Sequence, residues 1–140
     1  MNRLFLALGL PLFAALALAQ ERIAPAPNAE VYFIAPSNGA AVHGPVTVKF
    51  GLKGMGIAPA GVKFDNTGHH HLLVDTDLST LDLNAPMPAT DKILHFGKGQ
   101  TETMLTLSPG KHTLEIVFAD YLHKSFDPPL HSKKITITVE

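Results

Sequence analysis

Three consecutive histidines carry the strongest chemical signal in this 140-residue chain, in the run Gly68-His69-His70-His71-Leu72-Leu73-Val74-Asp75. Of the 8 histidines, all but His43 fall between positions 69 and 131. In an extended chain alternate side chains share a face, so His69, His71 and Leu73 project one way and His70, Leu72 and Val74 the other. With Leu72 and Val74 turned into a core, His69 and His71 emerge together. Their backbones then stand roughly 6.5–7 Å apart, a gap two imidazoles can close around one ion at about 2 Å per bond.

A firm site needs ligands from elsewhere, and His95, His123, His131, Asp75 and Asp120 are the candidates. His95 is favoured because it heads Phe96-Gly97-Lys98-Gly99-Gln100 in an expected strand beside a glycine-rich turn; His123 comes second because it follows a strand end near Asp120. The set expected to bind metal is therefore His69, His71, His95 and His123. His43 and His131 read as surface or hydrogen-bonded residues, and His112 as part of a hairpin entry, Pro109-Gly110-Lys111-His112. Imidazole suits copper, zinc and nickel, and the intrinsic affinity order puts divalent copper first, with zinc behind it. Met55, Met87 and Met104 could add thioethers for monovalent copper, although methionine more often fills gaps in a core.

Catalytic chemistry has little footing. Glu102 follows Gln100-Thr101 and Ser125 lies two residues after His123, but the sequence has no Gly-x-Ser-x-Gly elbow, no cysteine nucleophile and no phosphate-cradling loop. The expectation is a binding protein and not an enzyme. The 11 Lys and Arg face 12 Asp and Glu, and no basic run exceeds Lys133-Lys134, which argues against nucleic acid and anionic membrane as partners.

The elements that must hold these histidines read as strands. Val46, Val48, Phe50 and Leu52 alternate with polar or small residues, as do Ile135, Ile137 and Val139. Leu114, Ile116 and Phe118 are set against Thr113, Glu115 and Val117 in the same way, with Ile116 pointing inward. Further strands are expected at 31–35, 69–75, 93–96 and 101–107. Pro36-Ser37-Asn38-Gly39 and Ser108-Pro109-Gly110-Lys111 supply turns. No long helix is expected. About seven strands over residues 30–140 predict an all-β, immunoglobulin- or fibronectin-like sandwich. Two longer irregular stretches, 54–67 and 78–91, are either functional loops or disordered.

Residues 1–19 have the pattern of a cleaved signal peptide: Arg3, an apolar run over 4–18 and the exit Ala17-Leu18-Ala19. The run is shorter than the roughly 20 residues a membrane span needs. Export to the periplasm or beyond is expected, with residues 20–29, rich in Pro and Ala, as a flexible leader and no membrane insertion after cleavage. With no cysteine the domain has no disulfide framework, and about 120 residues suffice to bury roughly two-thirds of the unfolded surface.

The segments Gly51-Leu52-Lys53-Gly54-Met55-Gly56, Ala58-Pro59-Ala60-Gly61, Thr67-Gly68-His69-His70-His71, His95-Phe96-Gly97-Lys98-Gly99-Gln100-Thr101-Glu102 and Pro109-Gly110-Lys111-His112-Thr113-Leu114 together resemble the secreted bacterial family known as domain of unknown function 4399. The resemblance runs from about Val31 to Val139. It implies export and a small β-rich domain. It also implies a shared role for the histidine triplet, His95, His112 and His123, without saying whether that role is metal binding or structure. The alternative to a metal-binding protein is a passive immunoglobulin-like interaction domain with structural histidines and a protein partner.

Overall fold

The computed structural model describes residues 21–140. Ten strands form two sheets: β1 (Glu30–Ala35), β2 (Ala41–Val42), β3 (Val46–Lys53), β4 (Gly56–Ile57), β5 (Thr67–Val74), β6 (Ile93–His95), β7 (Glu102–Leu105), β8 (Gly110–Ala119), β9 (Ser125–His131) and β10 (Ile135–Val139). One sheet runs β1-β3-β7. The other runs β2-β10-β8-β5-β4, with β6 added to β5 and β9 to β8. The only helical turn among the described residues is a 3-10 turn at Leu78–Thr80, capped by the Asp77 carboxylate on the Ser79 N–H. The signal-peptide reading of residues 1–19 lies outside the described residues.

Alternation builds the sandwich core. Val46, Val48 and Phe50 of β3 face Leu72, Leu114, Ile116, Phe118 and Ile137 of the larger sheet, all buried. The immunoglobulin- or fibronectin-like sandwich expected from these runs is the architecture observed. Where strands sit centrally, however, alternation understates burial. On β8 the expected solvent face is covered at Glu115 and Val117, while Thr113 stays partly exposed. Leu73, Val117 and Ala119 form a second apolar cluster with Ile93 and with Leu78 and Met87 from the 78–91 stretch, which packs as an outer layer. Glu115 is accommodated there by His131 at 2.8 Å and Lys134 at 3.9 Å.

β9 was hidden by its prolines. Pro128 and Pro129 cannot donate to a ladder, but among the described strands β9 pairs only with β8, and an edge strand tolerates them. β9 also tethers the segment expected as a flexible leader. Arg22 donates from Nε to the Ser125 carbonyl at 3.1 Å and from Nη2 to the Phe126 carbonyl, and the Asp127 N–H donates to the Ile23 carbonyl at 2.8 Å. Among the described residues no helix is long and apolar enough to cross a membrane.

Candidate metal centre

The histidines assemble on the outer face of the larger sheet, away from the sandwich core. β5 pairs with β8 so that His69 lies opposite Ala119 and His71 opposite Val117. On its other side β5 pairs with β6, and here His71 lies directly opposite His95. Alternation along β6 then separates neighbours: Phe96 turns into the main core against Phe50, while Ile93 and His95 share the outer face with Leu73 and His71. That outer face is not open to water, as the period-two pattern suggested. His69 and His71 are 0% exposed.

His123 arrives from the turn that follows β8. Asp120, itself buried, accepts the Leu122 and Lys124 N–H groups at 2.8 and 2.9 Å through one carboxylate oxygen. His123 sits in this turn in the left-handed region, φ 65°, and its N–H donates to the Asp120 carbonyl at 3.0 Å. The Met87 N–H donates to the His123 carbonyl at 2.9 Å, so the outer-layer loop holds the turn from above.

Four rings meet as a result. The His69 ring centre lies 4.9 Å from His71, 5.0 Å from His95 and 5.1 Å from His123. His95 is 4.8 Å from His123 and 5.0 Å from His71, while His71 and His123 are 6.1 Å apart. One ring nitrogen from each of His69, His95 and His123 lies within 4.8 Å of the other two. An equilateral triangle of that side has its centre about 2.8 Å from each corner, so a bond of about 2.0–2.1 Å needs each nitrogen to move inward by about 0.7 Å. His71 lies outside this trio: its ring packs against His69 and His95 but stands farthest from His123.

The electrostatics favour neutral rings. Burial pushes His69 down to about 4, helped by His123, His95 and His70. Burial pushes His71 to about 2, helped by His69, His95, His123 and His70. His95, on the solvent side, is lowered by burial and by His123. No ring nitrogen of His69 or His71 has a hydrogen-bond partner. A buried polar atom left without a partner costs roughly 1–3 kcal/mol, so a cluster of them on one face calls for a ligand. An unprotonated imidazole with a free lone pair is what metal coordination requires.

His70 shows that a buried imidazole alone is not a site. It points into the main core between Phe50 at 4.9 Å and Phe118 at 5.0 Å, and among the described residues it joins no group of three that could hold an ion. The other candidates are engaged elsewhere. Asp75 accepts from the Thr113 N–H at 2.9 Å and pairs with His112 at 2.7 Å, His131 pairs with Glu115, and His43 meets Glu140 at 3.3 Å. Asp120 positions His123 through the backbone. Met104 is on the smaller sheet and 68% exposed, whereas Met55 packs against the main core and Met87 inside the outer cluster. Ser125 donates its hydroxyl to the Phe126 carbonyl, and Glu102 lies on β7 in the smaller sheet.

Two contributors are not legible as such in the sequence. Asp120 enters it as a ligand candidate, although an aspartate followed by N–H groups two and four residues on is a turn-former's signature. Gly97 sits in what reads as a glycine-rich turn, yet its φ is not positive; a Cβ there would overlap Cε1 and Nε2 of the His95 ring.

The fold is similar to that in "Structures of Clostridium thermocellum CbhA fibronectin(III)-like modules", with 12% identity, coverage of 78% of this chain and 92% of that chain, and a TM-score of 0.39. No curated protein matches the chain. Residues 48–140, which include every histidine of the cluster, match the family described as domain of unknown function (DUF4399), and the chain belongs to that family.

Proposed function

We propose that this protein is an exported, periplasmic or secreted, metal-binding domain that holds one ion between His69, His95 and His123, with His71 as the fourth donor. The observation that carries the reading is the convergence of four imidazoles from three separate segments, three of them within 4.8 Å through their nitrogens. Copper is the first choice and zinc the second: the donor set is all imidazole, no thiolate exists in the chain, and the affinity order favours divalent copper. Two buried donors on a rigid strand and two nearer the solvent suit a protein that stores an ion or hands it on.

The test is calorimetric titration of untagged protein lacking residues 1–19. One divalent copper ion per chain should bind with a Kd tighter than about 10 μM, zinc more weakly, and His69→Ala, His95→Ala and His123→Ala should each weaken copper at least tenfold, about 1.4 kcal/mol. His70→Ala should leave copper affinity within about threefold of the parent, below 0.7 kcal/mol. Absence of saturable binding would hand the protein to the second reading, an interaction domain. Its docking surface would then be sought around Phe64 and Val62, which are 73% and 49% exposed.

A further inference from the structure

The loop after β4 touches every segment that brings a histidine to the cluster. The Ala58 N–H donates to the Gly68 carbonyl at 2.8 Å, the Ala60 N–H to the Gly97 carbonyl at 2.8 Å, and the Gly61 N–H to the Tyr121 carbonyl at 2.9 Å. Gly68 immediately precedes His69, Gly97 follows His95 by two residues, and Tyr121 precedes His123 by two. Within four residues, this strap bonds in turn to the backbone beside each member of the trio.

At the middle of the strap the packing is close. A Cβ on Gly97 would fall inside van der Waals contact of both Cε1 and Nε2 of His95, and 3.2 Å from the Ala60 Cβ. Gly97 has no positive φ to explain it. Its glycine identity therefore serves the close approach of the His95 imidazole, whose edge carrying Nε2 lies against the bare Cα.

We propose that Gly97, held by the Ala60 N–H, is a positioning residue for His95: it fixes where the ring lies and so sets the span of the trio and its affinity for metal. The proposal rests on the metal reading above for its functional meaning, but the contact it invokes exists without metal. The strap holds the backbone of the three segments at fixed separation, and the bare Gly97 decides how far the most exposed of the four rings can lean away from His69 and His123. A side chain at 97 displaces the ring by roughly an ångström or more, since carbon atoms rest at about 3.5–4.0 Å. That exceeds the small inward movement the trio needs to close on an ion.

The experiment is a double-mutant cycle of Gly97→Ala and His95→Ala, read by copper titration and by the imidazole NMR resonances of the metal-free protein. In the parent background Gly97→Ala should weaken copper at least tenfold and shift the His95 ring resonances. In the His95→Ala background it should change affinity by less than twofold, because the ring it displaces is gone; a mere loss of stability would act in both backgrounds. If the parent binds copper and Gly97→Ala binds equally well, the positioning role is wrong and the metal reading stands. If the parent binds no metal, the metal reading fails, and an unmoved His95 resonance in Gly97→Ala overturns the positioning role as well. Should Gly97→Ala not fold, a folded Gly97→Ala/His95→Ala protein would trace the failure to the ring and support the proposal. Failure of both would place the need for glycine in the backbone and overturn it.

Discussion

The triplet divides its labour by face. His69 and His71 look outward to other imidazoles, and His70 looks inward to phenyl rings. For His70 the consequence is a pH dependence of stability. Burial lowers its pKa from 6.5 to about 4, against a smaller opposing effect of the Gln100 backbone. Between those values the unfolded chain binds a proton that the folded chain refuses, so stability is greatest above pH 6.5 and falls as pH drops toward 4, by up to about 1.4 kcal/mol per pH unit for one such group. His69 and His71 add to the same trend in the metal-free protein. His70→Leu keeps the volume, removes the buried imidazole nitrogens and should flatten the fall. Denaturant unfolding of metal-free parent and variant at pH 7.5, 6.0 and 5.0 measures it. Parallel curves would mean that His70 is not a neutral core residue. His112 moves the other way: its bond to Asp75 and then to the Ser108 carbonyl raise its pKa.

Strand β8 is the element on which both apolar clusters depend. Its register places Ile116 opposite Leu72 and Val117 opposite His71, so one face completes the sandwich and the other underlies the histidines. Ile116→Ala should cost roughly 2–5 kcal/mol through lost burial and a residual cavity. Because the cavity opens on the sandwich side, copper affinity should survive in the folded fraction. Equilibrium unfolding and titration at the same temperature check both halves; a loss below about 0.5 kcal/mol would contradict the inward placement. The sequence made this strand legible by alternation, and the His-x-His spacing made the shared face of His69 and His71 legible too. It could not show that His95 sits opposite His71, because register between β5 and β6 is set by pairing across the intervening stretch 75–92. Nor could it show that the outer face is covered, since that depends on how an irregular stretch with Leu78 and Met87 packs. β9 escaped because two prolines argue against a strand everywhere except at an edge.

At the scale of the molecule, the three segments carrying the clustered histidines come from distant parts of the chain: β5, the end of β6 and the turn after β8. An ion held by all of them binds the folded state and has no such set in the unfolded chain, so occupancy must appear as stability. At a free copper concentration of 100 times Kd the gain is about 2.7 kcal/mol, which for a domain of this size is a rise of several degrees in Tm. The rise should track ligand number. His123→Ala removes a donor supplied by a turn that Asp120 still holds, so the metal-free Tm should change little while the copper-induced rise shrinks by about 1.4 kcal/mol or more. Asp120→Ala should differ: it frees the Leu122 and Lys124 N–H groups, lowers the metal-free Tm and also blunts the copper response. Differential scanning calorimetry of parent, His123→Ala and Asp120→Ala, each with and without copper, separates a lost ligand from a lost support. A copper-induced rise that is unchanged in His123→Ala would remove that residue from the site and leave the ion, if bound, to the β5 and β6 histidines alone.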